Sequence, residues 1–163
     1  MKDTLLDLET HTKDPEKTAP KKRTGTNVNS YLILEKDNQI LLQLRKNTGY
    51  CDGMWSFVAG HVEDGESASS AMIREAREEI GLDLLPSQIE VVHIMHRKTN
   101  RLNMDVFFHC ASWQGTICNL EPEKCERLEF FSFHSLPANM VEYNKTALER
   151  AAKKSLYSEL GWD

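Results

Sequence analysis

The chain has 163 residues, enough for one domain of ordinary size with its own hydrophobic core. It carries 20 Lys and Arg against 25 Asp and Glu, a formal net charge of −5, and therefore lacks the basic surface that binding to a nucleic-acid polymer requires. Its apolar runs are far shorter than the roughly 20 residues that cross a bilayer, and residues 1–23 lack the apolar core of a secretory signal. We therefore expect a soluble, cytoplasmic protein with no nucleic-acid polymer and no membrane as partner.

The first half of the chain divides into a polar tail and a β-rich start of the domain. Residues 1–24 are rich in Lys, Asp, Glu, Thr and Pro, and we interpret them as a tail that precedes a domain at 25–163. Two β-prone runs, VNSYLILEKD and QILLQLRK, flank Asp37-Asn38 and predict a hairpin. The segment MWSFVAG predicts a further short strand that ends at Gly60.

A helix is predicted over ASSAMIREAREEIG, whose apolar residues recur at helical spacing. Glu66 or Ser67 can begin this helix, and Gly81 can end it. Three β-prone segments follow, namely QIEVVHIMHRK, RLNMDVFFHCASWQG and EPEKCERLEFFSF, and a last amphipathic helix is predicted from about 141 to 160. This order predicts an α+β fold, an α/β/α sandwich in which helices cover a mixed β-sheet.

The predicted helix concentrates negative charge on one face. Residues three and four apart share a face, so Glu75, Glu78 and Glu79 project together, and like charges at this spacing repel by a few tenths of a kcal/mol per pair. A bound cation would remove this cost, and oxygen ligands without Cys or His select Mg²⁺ or Mn²⁺, which also bind phosphate oxygens. Arg74 can pair with Glu66 or Glu78 and orient them. The alternative is a solvated helix face with Arg–Glu pairs.

The helix and its preceding loop resemble the Nudix box of the Nudix hydrolase family. Gly60 is followed after five residues by Glu66, and after seven more by Arg-Glu-Ala-Arg-Glu-Glu-Ile-Gly-Leu from Arg74 to Leu82. The similarity extends over about residues 27–150, through LLQLRKNTGYCDGMWSFVAGHVEDGE before the box and EPEKCERLEFFSFHSLP after it, the latter similar to MutT-like enzymes that act on nucleoside triphosphates.

The resemblance implies a loop-helix-loop catalytic motif on a mixed-sheet sandwich and hydrolysis of a nucleoside diphosphate linked to another group. It implies that Glu75, Glu78, Glu79 and the Gly60 carbonyl bind the divalent ion, while Arg74 holds Glu66. Glu78 or Glu79 would be the general base, a choice that the motif leaves open. Proteins that it resembles commonly form homodimers.

On this basis we expect a Mg²⁺-dependent pyrophosphohydrolase that converts a nucleoside triphosphate to the monophosphate and pyrophosphate. The alternative enzyme is an ADP-ribose or nucleotide-sugar pyrophosphatase. The alternative from another class is a nucleotide-binding module without catalysis, in which the box usually lacks a liganding glutamate. All of these glutamates are present in this chain.

Candidate substrate-binding residues lie outside the box. Arg45 occupies the place where triphosphate-cleaving relatives have a cation near the phosphates, although a surface arginine at a strand end is an equal interpretation. Trp55, Phe130 and Tyr143, together with Met140, are available to stack on a base, although such residues are more often part of a core.

Two further features concern the metal site and the base. A loop acid, Glu123 or Glu126, is a candidate for an additional metal ligand, and a solvated loop is the alternative. Where many members have Pro-Gly-Gly before the box, this chain has Val58-Ala59-Gly60. The segment 139–145 lacks the paired aspartates with which some relatives recognise oxidised purines, so a preference for 8-oxo-purines is not supported.

Overall fold

The computed structural model describes residues 25–163, and the predicted tail 1–24 lies outside the described residues. The elements in chain order are β1 (Thr26–Lys36), β2 (Gln39–Arg45), β3 (Trp55–Ser56), β4 (Val58–His61), α1 (Ala68–Ile80), a short 3₁₀ helix (Pro86–Gln88), β5 (Glu90–Lys98), β6 (Leu102–Cys110), β7 (Cys125–Ser132), α2 (Glu142–Ala152) and β8 (Tyr157–Leu160).

The strands form a mixed sheet built around β1. Strand β1 pairs in parallel with β6 and antiparallel with β4, while β5 pairs antiparallel with β6 and in parallel with β8. Strand β2 continues the sheet through the β1–β2 hairpin and pairs antiparallel with β3 and β7. The path β4-β1-β6-β5 is the part of the sheet that carries the candidate site.

Both faces of the sheet are buried, each by one helix. Along β1, Leu32 and Leu34 belong to a core cluster with Met72 and Ile80 of α1, whereas the alternate residues join a second cluster with Ala147 and Leu148 of α2. Because successive side chains of a strand point to opposite faces, α1 and α2 cover opposite sides. The predicted α/β/α sandwich with a mixed sheet is confirmed.

Local sequence explains the hairpin and the first helix. Asp37 and Asn38 have φ values of 53° and 60°, as a tight hairpin turn with positive φ at both central residues requires. Helix α1 begins after Ser67, whose hydroxyl accepts a hydrogen bond from the backbone N–H of Ser70 at 3.2 Å. It ends at Gly81, which adopts the left-handed conformation at φ 72°. Both predictions are confirmed.

The prediction of a last helix reaching residue 160 is wrong in its second half. Helix α2 ends at Ala152, and Lys154 then takes a left-handed φ of 57° that turns the chain back. Residues Tyr157–Leu160 form strand β8 at the edge of the sheet, beside β5. The backbone pairing with a distant strand, including Ile94 N–H to the Leu156 carbonyl at 2.7 Å, replaces the helical pattern. Within residues 25–163 no helix is long and apolar enough to cross a membrane.

Candidate active site

A cavity of about 670 Å³ lies along the sheet between the loop before α1 and the loop between β5 and β6. One part of its lining is acidic and includes Gly60, Glu79 and Glu121. Another part contains Arg97 and Asn103, which pair with each other across β5 and β6. Strands β4 and β5 are separated by β1 and β6, so these two parts are three strand spacings, or about 14 Å, apart.

Arg74 forms ion pairs with one acid of the loop and two acids of α1. Its guanidinium donates to Glu66 at 2.7 Å, to Glu75 at 2.7 Å and to Glu78 at 3.2 Å, and also to the His61 carbonyl at 3.1 Å. The hydrogen bond from Arg74 lowers the pKa of Glu66, which also accepts from a backbone N–H of its own loop. Arg74 thus fixes the loop to the helix, and it pairs with Glu66 and Glu78 as the sequence predicted.

Gly60 and Glu75 are in direct contact, which explains why a glycine stands before the loop. A Cβ added at Gly60 would fall on the carboxylate of Glu75, well inside the 3.0 Å that real Cβ contacts keep. The φ of Gly60 lies outside the left-handed region, so the glycine is needed for space and not for backbone conformation. The Glu75 side chain is 14% exposed, against 54% for Glu78.

Glu79 is the acid of α1 that lines the cavity. It accepts a long hydrogen bond of 3.4 Å from the backbone N–H of Ala59. Burial, together with the negative charges of Glu75 and Glu121, raises the pKa of Glu79 to about 8. Burial likewise raises the pKa of Glu75. These carboxylates are desolvated, and the negative charges of Glu75 and Glu121 repel that of Glu79.

Glu121 is the loop acid that the structure brings to the site. It lines the cavity and pairs with Lys124 at 2.8 Å, whereas the predicted candidates Glu123 and Glu126 are exposed outside the cavity lining. Glu121 and Glu123 lie in the loop before β7 and Glu126 is the second residue of that strand, so only the conformation of this short segment selects among them. The sequence prediction therefore found the segment and missed the residue.

The donor set suits a hard divalent cation, although the carboxylates do not converge on a single point. Carboxylates of Glu75, Glu78 and Glu79 and the carbonyl of Gly60 are oxygen ligands of the kind that Mg²⁺ and Mn²⁺ prefer. Within residues 25–163 no group of three or more His, Cys, Asp or Glu side chains is gathered in a metal-binding arrangement. Arg74 bonds both Glu75 and Glu78, and a cation would compete with it for those carboxylates.

The structure separates the predicted substrate-binding residues into two groups. Arg45 and Tyr143 line the cavity, and Arg45 is held by the Tyr50 carbonyl at 2.9 Å. Trp55 is only 4% exposed and packs edge-on against Phe131 in the core, and Phe130 is partly buried against the other core cluster. Trp55 and Phe130 are therefore core residues outside the cavity lining, and base stacking by them is not supported.

A buried polar network lies on the cavity wall, centred on Arg97, a residue that the sequence did not single out. Arg97 donates to the fully buried carboxylate of Asp105 at 2.6 Å, and Asn29 donates to the same carboxylate at 2.7 Å. The guanidinium of Arg97 lies 3.9 Å above the ring of Tyr143. The alternation of β5 offered a signal, because Arg97 falls on the same face as the buried His93 and Met95.

An acidic loop-helix-loop beside a polar cavity, on an α/β/α sandwich, is compatible with hydrolysis of phosphate compounds assisted by a metal ion. The model of the NUDIX domain matches residues 23–151, and the chain belongs to the Nudix family. It is a Nudix hydrolase, and the predicted enzyme class is confirmed.

Three curated relatives of this chain have different activities by their names. The chain is 27% identical over 124 residues to a CTP pyrophosphohydrolase of Escherichia coli (strain K12), covering 74% of this chain and 91% of the relative. It is 36% identical over 86 residues to an 8-oxo-dGTP diphosphatase of Proteus vulgaris, covering 53% and 76%. It is 32% identical over 100 residues to the NAD-capped RNA hydrolase NudC of Stutzerimonas stutzeri (strain A1501), but covers only 34% of that protein and 60% of this chain.

Solved structures agree on the fold. A MutT NUDIX hydrolase from Burkholderia pseudomallei superposes with a TM-score of 0.71 at 23% identity, covering 77% of this chain and 97% of that one. The E. coli ORF135 protein superposes with a TM-score of 0.63 at 27% identity, covering 80% and 94%.

Proposed function

We propose that this protein is a Mg²⁺-dependent pyrophosphohydrolase that cleaves a nucleoside triphosphate to the nucleoside monophosphate and pyrophosphate. Water adds across one phosphoanhydride bond, so the reaction needs no further co-reactant. The proposal rests above all on Glu79, a partly buried carboxylate that lines the cavity with Glu75 and Glu121 close by. A desolvated acidic group of this kind beside a cavity is suited to a cation that itself binds phosphates.

Nudix hydrolases generally use divalent metal ions, and Mg²⁺ is the ion that we propose for this chain. Glu75, Glu78, Glu79 and the Gly60 carbonyl would hold it, with Glu121 as an additional ligand. When bound, the cation supplies charge neutralisation for the phosphate oxygens and activation of water. The protein residues have separate tasks of orientation and proton transfer.

Arg74 orients the acids before any substrate arrives. It contacts Glu66, Glu75 and Glu78 at once, so a change in the position of one acid is transmitted to the others. Glu66 in turn fixes the loop through the backbone N–H of Glu63 at 2.9 Å. We assign Arg74 and Glu66 to positioning, because Arg74 contacts three acids and Glu66 contacts both Arg74 and the backbone of its loop.

We propose Glu79 in preference to Glu78 as the general base. Glu79 lines the cavity, whereas Glu78 is half exposed and turned towards Arg74. A base must lie within hydrogen-bond reach of the proton that it takes, and of the two candidates only Glu79 lines the cavity in the described conformation.

Two cations on the cavity wall favour a triphosphate. Arg45 and Lys124 line the cavity along with the acidic cluster, and each is held by groups of its own loop. A triphosphate carries more negative charge than a diphosphate, and additional cations offset it. The relative covered most completely among those above, the E. coli CTP pyrophosphohydrolase, acts by its name on a triphosphate.

The test is a substrate screen in which nucleoside monophosphate products are separated by ion-exchange chromatography and released pyrophosphate is measured as phosphate after added pyrophosphatase. Chromatography is needed because hydrolysis of ADP-ribose, a nucleotide sugar or NAD gives two phosphomonoesters and no pyrophosphate. The panel holds the four NTPs, the four dNTPs, ADP-ribose, nucleotide sugars and NAD, in Mg²⁺ and in excess chelator. We expect chelator-sensitive pyrophosphate release from triphosphates. Turnover confined to ADP-ribose, nucleotide sugars or NAD would refute the proposal, and turnover of ADP-ribose or nucleotide sugars would establish the alternative enzyme.

A matched pair of variants tests the assignment of the metal ligands. Glu79→Gln should lower kcat/KM by about a hundredfold or more, whereas Glu149→Gln, at an exposed position of α2, should leave it unchanged. Thermal unfolding supplies a readout that does not need turnover: Mg²⁺ should raise the Tm of the wild type and of Glu149→Gln but have little effect on Glu79→Gln. Equal Mg²⁺ stabilisation of all three proteins would contradict the ligand assignment.

A further inference from the structure

The part of the cavity wall around Arg97, which lies along the sheet from the acidic part of the lining, is polar and buried. The register pairs His61 with Asn29, Asn29 with Asp105, and Asn103 with Arg97, so these side chains project from one face of the sheet. The face continues across β4, β1, β6 and β5, from the loop of the acidic helix to Arg97. Its width of about three strand spacings leaves room for a nucleoside beyond the phosphates.

Arg97 is fixed in this wall from two sides. It is 7% exposed, its Nε donates to Asp105 at 2.6 Å and its Nη2 lies 3.4 Å from the same carboxylate. The ring of Tyr143 lies against the plane of the guanidinium at 3.9 Å, and the Tyr143 hydroxyl meets that of Tyr31 at 3.3 Å. A guanidinium held in this way loses little freedom when it binds a ligand.

Hydrogen-bonding capacity is left over at this wall. Among residues 25–163, Nη1 of Arg97 has no acceptor, although the side chain lines the cavity. The Nδ2 of Asn103 donates to the carbonyls of Arg97 and Arg101, so the side-chain oxygen of Asn103 remains available to a ligand. Within the same residues, the hydroxyl of Ser56, a 4% exposed residue on the cavity lining, has no partner. Buried polar groups are nearly always paired, so a polar ligand is the natural partner here.

We propose that Arg97 reads the nucleobase, by donating from its guanidinium to a base edge that carries two adjacent acceptors. Guanine offers O6 and N7, and cytosine offers O2 and N3. Adenine places an amino donor next to N7, and uracil places an N–H between its carbonyls, so both direct a donor at the cation. The protein therefore selects guanine or cytosine nucleotides over adenine and uracil nucleotides.

This role places Tyr143 and Asp105 in support of Arg97. Asp105 orients the Arg97 guanidinium and balances its charge, and the Tyr143 ring packs against the plane of that guanidinium. The base then lies against the edge of Arg97 and not on the face of Tyr143 that the guanidinium covers. The inference rests on the proposed function only in requiring that the cavity take a nucleotide.

The experiment compares kcat/KM for GTP, CTP, ATP and UTP in the wild type, Arg97→Lys and Arg127→Lys. Lysine at 97 keeps a positive charge for Asp105 but lacks the paired N–H donors of a guanidinium. Arg127 is the control, because it is an exposed residue of β7 outside the cavity lining. We expect the wild type and Arg127→Lys to favour GTP or CTP over ATP by about tenfold or more. In Arg97→Lys this ratio should fall to within threefold.

A second variant and a binding measurement keep the test decisive if Arg97→Lys folds poorly. The double change Arg97→Gln with Asp105→Asn removes both charges, so that no buried carboxylate is left unpaired. Isothermal titration with GMP, CMP, AMP and UMP measures base preference without turnover. If triphosphates are not cleaved but GMP or CMP still binds preferentially and Arg97→Lys removes the preference, the proposed function fails while the base reading stands.

Two results would overturn the proposal. One is a wild type that treats the four bases within threefold of one another, in turnover and in binding. The other is an equal loss for all four nucleotides in Arg97→Lys, which would place Arg97 on the ribose or phosphates. If GTP is the preferred substrate, 7-deaza-GTP should lose most of the advantage, and retention of the full advantage would refute the contact with N7.

Discussion

Replacing Gly60 with alanine tests whether the position of Glu75 controls the reaction. The added methyl would overlap the Glu75 carboxylate, and because real Cβ contacts stay beyond 3.0 Å, the carboxylate must move by about 1 Å. The obstruction is the far end of a flexible side chain, so the backbone has no need to shift. The methyl group therefore displaces one acid of the site with little damage to the fold.

The expected effect is a large loss of activity with a small loss of stability. A misplacement of about 1 Å in a catalytic site can cost about a hundredfold in rate, so kcat/KM should fall by roughly that factor. The weakened Arg74–Glu75 pair should cost no more than about 1 kcal/mol, or a few degrees in Tm for a domain of this size. Initial rates at saturating Mg²⁺ and a thermal melt measure the two quantities.

Gly25→Ala is the matched control, because no atom lies within 4 Å of a Cβ at that position. It should leave both quantities unchanged. Gly60→Ala with nearly wild-type kcat/KM would refute the argument that contact between Gly60 and Glu75 sets the metal site. A loss of more than about 10 °C in Tm would also refute it, since the damage would then be to the fold.

Three further predictions address the loop acid, the helix cap and a buried histidine. Glu121→Gln should lower kcat/KM at least fivefold more than Glu123→Gln in the same assay, because only Glu121 lines the cavity; equal effects would contradict this assignment. Ser67→Ala should destabilise the protein by about 1 kcal/mol in urea unfolding, whereas Ser70→Ala keeps the backbone donor and should cost much less; equal losses would contradict the capping role. Burial lowers the pKa of His93; the charge of Arg150 lowers it further, and the hydrogen bond with the Ser155 carbonyl opposes this shift. The stability that the neutral ring contributes is therefore complete above pH 6.5 and is lost as the pH falls below that value. The Tm of His93→Asn should therefore approach that of the wild type as the pH falls from 7 to 5, and a constant difference would refute the argument.

Local patterns predicted the parts of the fold that local interactions determine. The hairpin turn at Asp37-Asn38 and the limits of α1 at Ser67 and Gly81 follow from turn and capping chemistry, which needs no knowledge of distant residues. The second half of the predicted last helix failed for the opposite reason. Strand β8 exists because it pairs with β5, some 60 residues earlier, and this pairing overrides an amphipathic pattern.

The candidate site shows the same division. The pair between Arg74 and Glu78 follows from helical spacing, and the structure shows it, whereas the acids of α1 do not converge on one point in the residues that the structure describes. The choice of Glu121 depends on how one loop folds, and the exclusion of Trp55 depends on its packing against Phe131. An aromatic residue is equally suited to a core and to a base, so sequence alone did not separate the two uses.

The measurement that tests the central claim most directly is ³¹P NMR of the products formed from a nucleoside triphosphate in Mg²⁺. We predict two new phosphorus species, the nucleoside monophosphate and pyrophosphate, whose formation stops in excess chelator and is lost in Glu79→Gln. Formation of the nucleoside diphosphate and phosphate, or product formation that neither chelator nor Glu79→Gln reduces, would contradict the account.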